Sequence, residues 1–372
     1  MDARDLGIPF EGETGRFNAI TDVPGVTVGY STIVEGEGLL EVGKGPIRTG
    51  VTVILPRSGR NTLSPVWAGV YALNGNGEMT GTHWIQDAGY FLSPIFITNT
   101  HAVGTVHQAA TKWMVETYRE QYHQEHLWIM PVVAETYDGI LNDINGFHLK
   151  EEHVLEALQT AKGGKVKQGN VGGGTGMICY EFKGGTGTSS RKIEIEDKTF
   201  HIGVLVQANH GKRDWFKVAG VPVGKHMTEN VLYGKEMGSI IVVIGTDIPM
   251  LPHQLKRMAK RAAIGIGRSG TPGGNDSGDI FLAFSTANEM EIPQREGARL
   301  QMDFINDEYF DPIYEHTVHA VDEAIINAMV SAEDMSTLKP AGKIVKAINH
   351  QELVSILESY NRVQPEKVGE SR

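Results

Sequence analysis

Met237-Gly238-Ser239-Ile240-Ile241-Val242-Val243-Ile244-Gly245-Thr246-Asp247 is the stretch on which the reading of this chain turns. A β-branched apolar run of this length between glycines reads as a fully buried strand. Ser239 stands at its leading end, where a hydroxyl can look into a cleft. Gly238 leaves the preceding peptide sterically open. Taken alone, Ser239 reads as a residue that merely starts a strand. Any chemistry has to come from the rest of the chain.

The segment just before, residues 212–238, carries Gly220, Pro222, Gly224 and Gly234 with little apolar periodicity. It reads as the best linker in the chain. Just after, Leu255, Met258, Ala259, Ala262, Ala263 and Ile266 recur at helical spacing. Residues 279–286 form another apolar strand. Further strands are expected at 26–28, 49–55, 95–100, 128–136 and 200–209. Helices are expected at 106–122, 150–161, 318–329 and 344–357, with a polar tail over the final dozen residues. No internal repeat is present. This order points to a layered sheet-and-helix domain.

A chain of 372 residues, 40% of them hydrophobic, can build a substantial core. It has 45 glycines, well above the usual ~7%, which suggests tight turns and close backbone approaches. Residues 170–176, Asn-Val-Gly-Gly-Gly-Thr-Gly, resemble a phosphate loop superficially but lack its Gly-Lys-Ser/Thr. A backbone crossing is the better reading. The net charge of −11 argues against a nucleic-acid partner. The densest basic stretch, Lys256 to Arg268, alternates with apolar residues as the solvent face of a helix would. No run approaches the ~20 apolar residues of a membrane span, and no basic-then-apolar leader opens the chain. The single Cys179 lies in an apolar run and reads as a buried hydrophobe in a reducing compartment. A cytoplasmic protein is expected, with no membrane partner.

His123 and His126, and His316 and His319, stand three apart on expected helices without the acidic partner of a zinc motif. They read as solvated surface histidines, and neither metal nor cofactor is expected. A Gly-x-Ser-x-Gly elbow is absent. What remains is polar residues at strand ends. Ser277 and Asp279 point to one face if extended. They could orient a proton there, or simply cap the strand as turn residues. Asn209 ends a strand with an amide, and Tyr137 begins a loop with a phenol. Two such donors aimed at one oxygen would form an oxyanion hole, with about 3 kcal/mol lost per donor removed. The sequence leaves their convergence open.

Several motifs occur in order along nearly the whole chain: Asp5-Leu6-Gly7-Ile8-Pro9-Phe10, residues 18–26, Glu135-Thr136-Tyr137-Asp138-Gly139, Val206-Gln207-Ala208-Asn209, residues 238–243, Leu251-Pro252-His253-Gln254-Leu255 and residues 278–286. Together they resemble the family of L-aminopeptidase/D-amino-acid esterase-amidases and β-peptidyl aminopeptidases. The resemblance implies an α+β protein, a four-layer αββα sandwich like that of N-terminal-nucleophile hydrolases but differently connected. It implies one domain, residues 1–372, that cuts itself at Gly238–Ser239 into fragments 1–238 and 239–372. Ser239 would be the nucleophile, assisted by Ser277 and Asp279, the latter replaced by Glu in some members. Tyr137 and Asn209 would stabilise the oxyanion, and Glu135 would hold the substrate's free amine. Short peptides, amino-acid amides or esters would be hydrolysed through an acyl-enzyme by a homotetramer of processed pairs. Two alternatives stand beside this: an acyltransferase akin to ornithine acetyltransferases, whose nucleophile is threonine, and an unprocessed binding protein. Choice among L-, D- and β-amino substrates rests on pocket shape. Residues Asn74 to His83 are a candidate for that pocket, or only a surface turn.

Overall fold

The computed structural model describes residues 1–59 and 63–364. Most of the polar tail lies outside them. In chain order the strands are β1 (Thr27–Glu35), β2 (Ile47–Leu55), β3 (Val66–Ala72), β4 (Tyr90–Phe91), β5 (Ile95–Asn99), β6 (Val132–Thr136), β7 (Ile178–Cys179), β8 (Phe182–Lys183), β9 (Gly185–Ile195), β10 (Lys198–Asn209), β11 (Ser239–Thr246), β12 (Gly278–Ser285), β13 (Met335–Leu338) and β14 (Ala341–Val345). The helices are α1 (Thr82–Ala88), α2 (Val103–Thr117), α3 (Arg119–Gln124), α4 (Glu151–Gln159), α5 (Val223–His226), α6 (Pro252–Arg268), α7 (Phe310–Val330) and α8 (His350–Ser359).

Two sheets carry the architecture. One is four-stranded, in the order β1-β2-β5-β6, and the other six-stranded, in the order β4-β3-β12-β11-β10-β9. The period-two alternation of each strand sorts its side chains between two apolar layers. In β11, Ile240, Val242 and Ile244 join Phe281 and Ala283 of β12 against Leu255, Met258 and Ala262 of α6 and Val321, Ala324 and Ala328 of α7. The intervening Ile241 and Val243 face the other way and meet Ile54, Ile95, Ile97 and Val132 of the smaller sheet. The outer face of that sheet packs Val51, Val53, Phe96 and Val133 on α2 and α4. The layers are therefore helix, sheet, sheet and helix, as the resemblance implied.

β11 pairs antiparallel with β10 and parallel with β12. The register sets Ser239 between Asn209 on one side and Gly278 on the other. Ser239 is in phase with Ile241 and Val243, so it faces the gap between the sheets.

Several readings change. Residues 212–238 are not a loose linker: Phe216, Val218, Val221 and Val223 are buried in the main core. Their spacing is irregular because each enters from a turn and not from one helix face. Strand β6 begins at Val132, after Pro131, which has no N–H to give a ladder. The expected helix over 344–357 splits, with Ile344 and Val345 ending β14 and the helix starting at His350. His319 is buried, its Nε2 2.9 Å from a Glu11 carboxylate oxygen, and is no surface histidine. Strand β3 escaped the sequence reading because Gly69 interrupts it. A Cβ there would lie 2.1 Å from Lys256 N of α6, so the glycine marks a close helix approach. The glycines of residues 170–176 act likewise: a Cβ on Gly174 would lie 2.2 Å from Thr186 N. That stretch is a backbone crossing. Cys179 is buried, and the basic residues of α6 border solvent, as read.

Candidate active site

The start of β11 is fixed before any side chain is considered. A Cβ on Gly238 would lie 1.6 Å from the carbonyl oxygen of Asn209. Only glycine lets the chain press this closely on the end of β10 before turning into β11. Ser239 comes next, nearly buried, and its Oγ accepts a hydrogen bond from the Gly278 N–H at 3.0 Å. A main-chain amide on the neighbouring strand thus orients the hydroxyl.

Ser277 and Asp279 are brought together. Ser277 Oγ donates to Asp279 Oδ1 at 2.6 Å, and Asn74 Nδ2 donates to Asp279 Oδ2 at 3.2 Å. Burial raises the Asp279 carboxyl above its ordinary range, opposed by these two bonds and by the main-chain N–H of Ile240. The carboxyl therefore sits beside the main chain one residue past Ser239. In the β12 register it belongs to the helix-side face, while Ser239 faces the inter-sheet gap.

Tyr137 and Asn209 meet through the Tyr137 main-chain carbonyl, while the phenol oxygen lies against Gly139, where a Cβ would be 2.3 Å from it. Both line a cavity of about 40 Å³ together with Ile178, His210, Gly211, Glu236 and Gly238. The Asn209 amide is oriented from both ends: Oδ1 accepts from Ile178 N at 2.8 Å, and Nδ2 donates to the Tyr137 carbonyl at 3.1 Å. An amide nitrogen carries two hydrogens, so that bond engages only one. Burial, with Asp138 nearby, raises the Tyr137 phenol above its usual pKa and keeps it a donor. Asp138 itself is fully buried, accepts from Thr49 Oγ1 at 2.6 Å, and is pushed up to about 7 by desolvation.

Glu135 stands one residue before the end of β6, across the gap. It accepts from Glu78 N at 2.9 Å and from the Thr100 hydroxyl. A Cβ on Gly77 would lie 3.3 Å from Glu135 Oε1 and 3.2 Å from Gly278 Cα. A single bare glycine therefore separates this carboxylate from the residue that holds the Ser239 hydroxyl. Burial raises the Glu135 pKa, and an entering ammonium would lower it again.

The sequence reading missed Thr100, His210 and Glu236, and named Asn74 only as the start of a candidate pocket stretch, residues 74–83. Asn74 and Gly77 belong to the Asn-Gly-Asn-Gly run of residues 74–77, whose polarity and glycine content were its visible signals. That loop lies at the site and is not merely a surface turn. Glu236 had no signal beyond its place two residues before Gly238.

Four layers in this order, with a serine hydroxyl opening the strand that faces the gap, frame nucleophilic attack on a carbonyl. The class is a serine-type hydrolase of peptide or amide bonds. A model of Peptidase family S58 matches residues 18–341, and the chain belongs to that family. It is 49% identical to the β-peptidyl aminopeptidase BapA of Sphingosinicella microcystinivorans, over 98% of this chain and 94% of that protein. The solved L-aminopeptidase D-Ala-esterase/amidase of Ochrobactrum anthropi, described as a variant of the Ntn hydrolase fold, superposes with a TM-score of 0.93. It is 55% identical, over 97% of this chain and 99% of its own. A β-aminopeptidase from Burkholderia sp. superposes with a TM-score of 0.86 at 44% identity, over 96% and 99% of the two chains. The acyltransferase and binding-protein alternatives give way to a hydrolase. Among the described residues no helix is long and apolar enough to cross a membrane.

Proposed function

We propose that this hydrolase is an aminopeptidase and amidase that removes N-terminal residues from short peptides, amides or esters after cutting itself before Ser239. The observation that carries the reading is the junction at the head of β11. The scissile glycine lines one cavity with Tyr137 and Asn209, and the next residue is a serine held by Gly278 N–H.

In the precursor, Ser239 Oγ attacks the Gly238 carbonyl carbon. The Gly238–Ser239 C–N bond breaks as the ester C–O bond forms, and the hydroxyl proton passes to the departing nitrogen. Water then hydrolyses the ester, leaving a carboxylate on Gly238 and restoring the hydroxyl. The freed α-amine has a reference pKa of ~7.7–8.0 and can serve as base for its own hydroxyl. Asp279 and Ser277, beside the main chain at Ile240, orient that amine. Tyr137 and Asn209 stabilise the oxyanion in both reactions, and Glu135 receives the substrate's ammonium. The fragments 1–238 and 239–372 stay associated in one domain. A tetramer of such pairs, on the strength of the family likeness, and a cytoplasmic location, on that of the single buried cysteine, complete the proposal.

Ser239→Ala tests it. The variant is expected to run as one uncut chain on a denaturing gel and to leave L-, D- and β-alanine chromogenic amides intact. Two fragments, or retained turnover, from purified Ser239→Ala protein would sink the reading. The same panel on wild-type protein ranks the three substrate classes.

A further inference from the structure

We propose that Glu236 is a positioning residue for the self-cleavage step, an inference that rests on the self-processing reading above. Glu236 lies two residues before Gly238, whose carbonyl is attacked. Its Oε1 accepts from Gly238 N at 3.0 Å and from Gly211 N at 2.9 Å, and its Oε2 accepts from Gly211 N at 2.8 Å. One carboxylate thus ties the amide of the scissile residue to the chain just past Asn209. Asn209 is the β10 residue paired with Ser239. The nucleophile and the carbonyl it attacks are referenced to the same strand end, one by sheet pairing and the other by Glu236.

The surroundings are shaped for this side chain. A Cβ on Gly274 would lie 2.4 Å from Glu236 Cγ, so the loop leading to Ser277 and Asp279 leaves bare space where Glu236 enters. On the other side, Gly238 is seated against the Asn209 carbonyl. The carboxyl is largely desolvated and feels the like charge of Asp279. Both costs are met in the precursor by main-chain N–H bonds. Glu236 belongs to the N-terminal fragment, so its hold on Gly238 ceases to bear on Ser239 once the bond is cut. Its effect is on maturation.

The test tracks the appearance of fragments from rapidly purified full-length chain by denaturing electrophoresis. The variants are Glu236→Ala and Glu236→Leu, which remove both acceptor oxygens, and Glu236→Gln, which keeps one. Misplacing a reacting group by about 1 Å can cost about 10²-fold, so Ala and Leu should cleave roughly 10- to 100-fold more slowly and Gln should return to within about fivefold of wild type. The uncut Ala and Leu chains should still unfold in a single cooperative urea transition like that of uncut Ser239→Ala, at a somewhat lower midpoint for the lost hydrogen bonds, which separates positioning from misfolding. Cleavage of Ala and Leu at the wild-type rate overturns the inference. So does Gln cleaving as slowly as Ala, since charge and not acceptor geometry would then matter. A wild-type chain that never cleaves defeats the self-processing reading itself, an outcome distinct from either of these.

Discussion

The two sides of the Gly238–Ser239 bond are held by different forces. Downstream, β11 is apolar on both faces, with Ile240, Val242 and Ile244 toward the helices and Ile241 and Val243 toward the second sheet. Immediately upstream, polar groups do the holding. Arg213 Nη1 donates to the carbonyls of Met227 and Glu229 at 2.8 and 2.9 Å. Glu181 Oε2 accepts from the N–H groups of Leu232 and Tyr233 at 2.6 and 2.9 Å, and Glu236 holds Gly238 in turn. Hydrophobic contact is non-directional and grows with buried area, so β11 keeps its place whether or not its first peptide bond exists. A hydrogen bond is directional and contributes only about 1 kcal/mol net. Such bonds fix the upstream segment in one geometry, yet few need to break for it to move. A chain cut at this point, as proposed, needs that asymmetry.

The largest expected effect comes from the junction. Gly238→Ala drives a methyl into the Asn209 carbonyl. Self-cleavage should slow by about 10²-fold or more, because the scissile carbonyl must move away from Ser239. Fragment formation at the wild-type rate would show that the close approach is dispensable.

A matched pair probes the two sides directly. Ile241→Ala should cost roughly 2–5 kcal/mol of global stability in urea unfolding, since it opens a hole between the sheets. Glu181→Ala strips the upstream segment of its acceptor and should cost about 1–3 kcal/mol. Its main sign should be faster limited proteolysis within residues 229–236. Equal losses in global stability would mean that the two sides form one cooperative unit, and the comparison would fail.

The last effect, read as a slope against pH, concerns the opposite wall, beside Tyr137. The folded pKa of Asp138, about 7, lies above its ordinary 3.8. The folded state therefore binds this proton more tightly than the unfolded state. Stability from this group is fully present below pH 4 and is lost as pH rises toward 7. The slope should be at most about 1.4 kcal/mol per pH unit. Asp138→Asn should flatten that stretch of the urea-midpoint profile; an unchanged slope would place its origin elsewhere.

Much of the frame could be read from pattern alone. The β11 run, the α6 periodicity and the shared face of Ser277 and Asp279 are local signals, and each appears where its period placed it. The errors have equally local causes. Ile344 and Val345 fit one helical pattern with Leu353 and Leu357, but a hairpin with β13 claims them. Gly69 disguised a strand because its reason for being glycine, the approach of α6, lies almost two hundred residues away in sequence. Residues 212–238 looked like a linker because their apolar side chains enter the core singly.

The sequence by itself determined that a buried strand begins at Ser239, that a glycine precedes it, and that hydroxyl, carboxyl, amide and phenol groups stand at other strand ends. Those facts come from composition and short-range periodicity, which steric and solvation preferences impose residue by residue. Only the tertiary structure decided which strand ends meet. Pairing of β11 with both β10 and β12 brings Asn209 and Gly278 to Ser239, and the stacking of the two sheets brings Tyr137 and Glu135 across the gap. It also gave Asn74 and Glu236 their partners. Strand order and sheet stacking are settled by burial summed over the whole core, and no short window of sequence contains that sum.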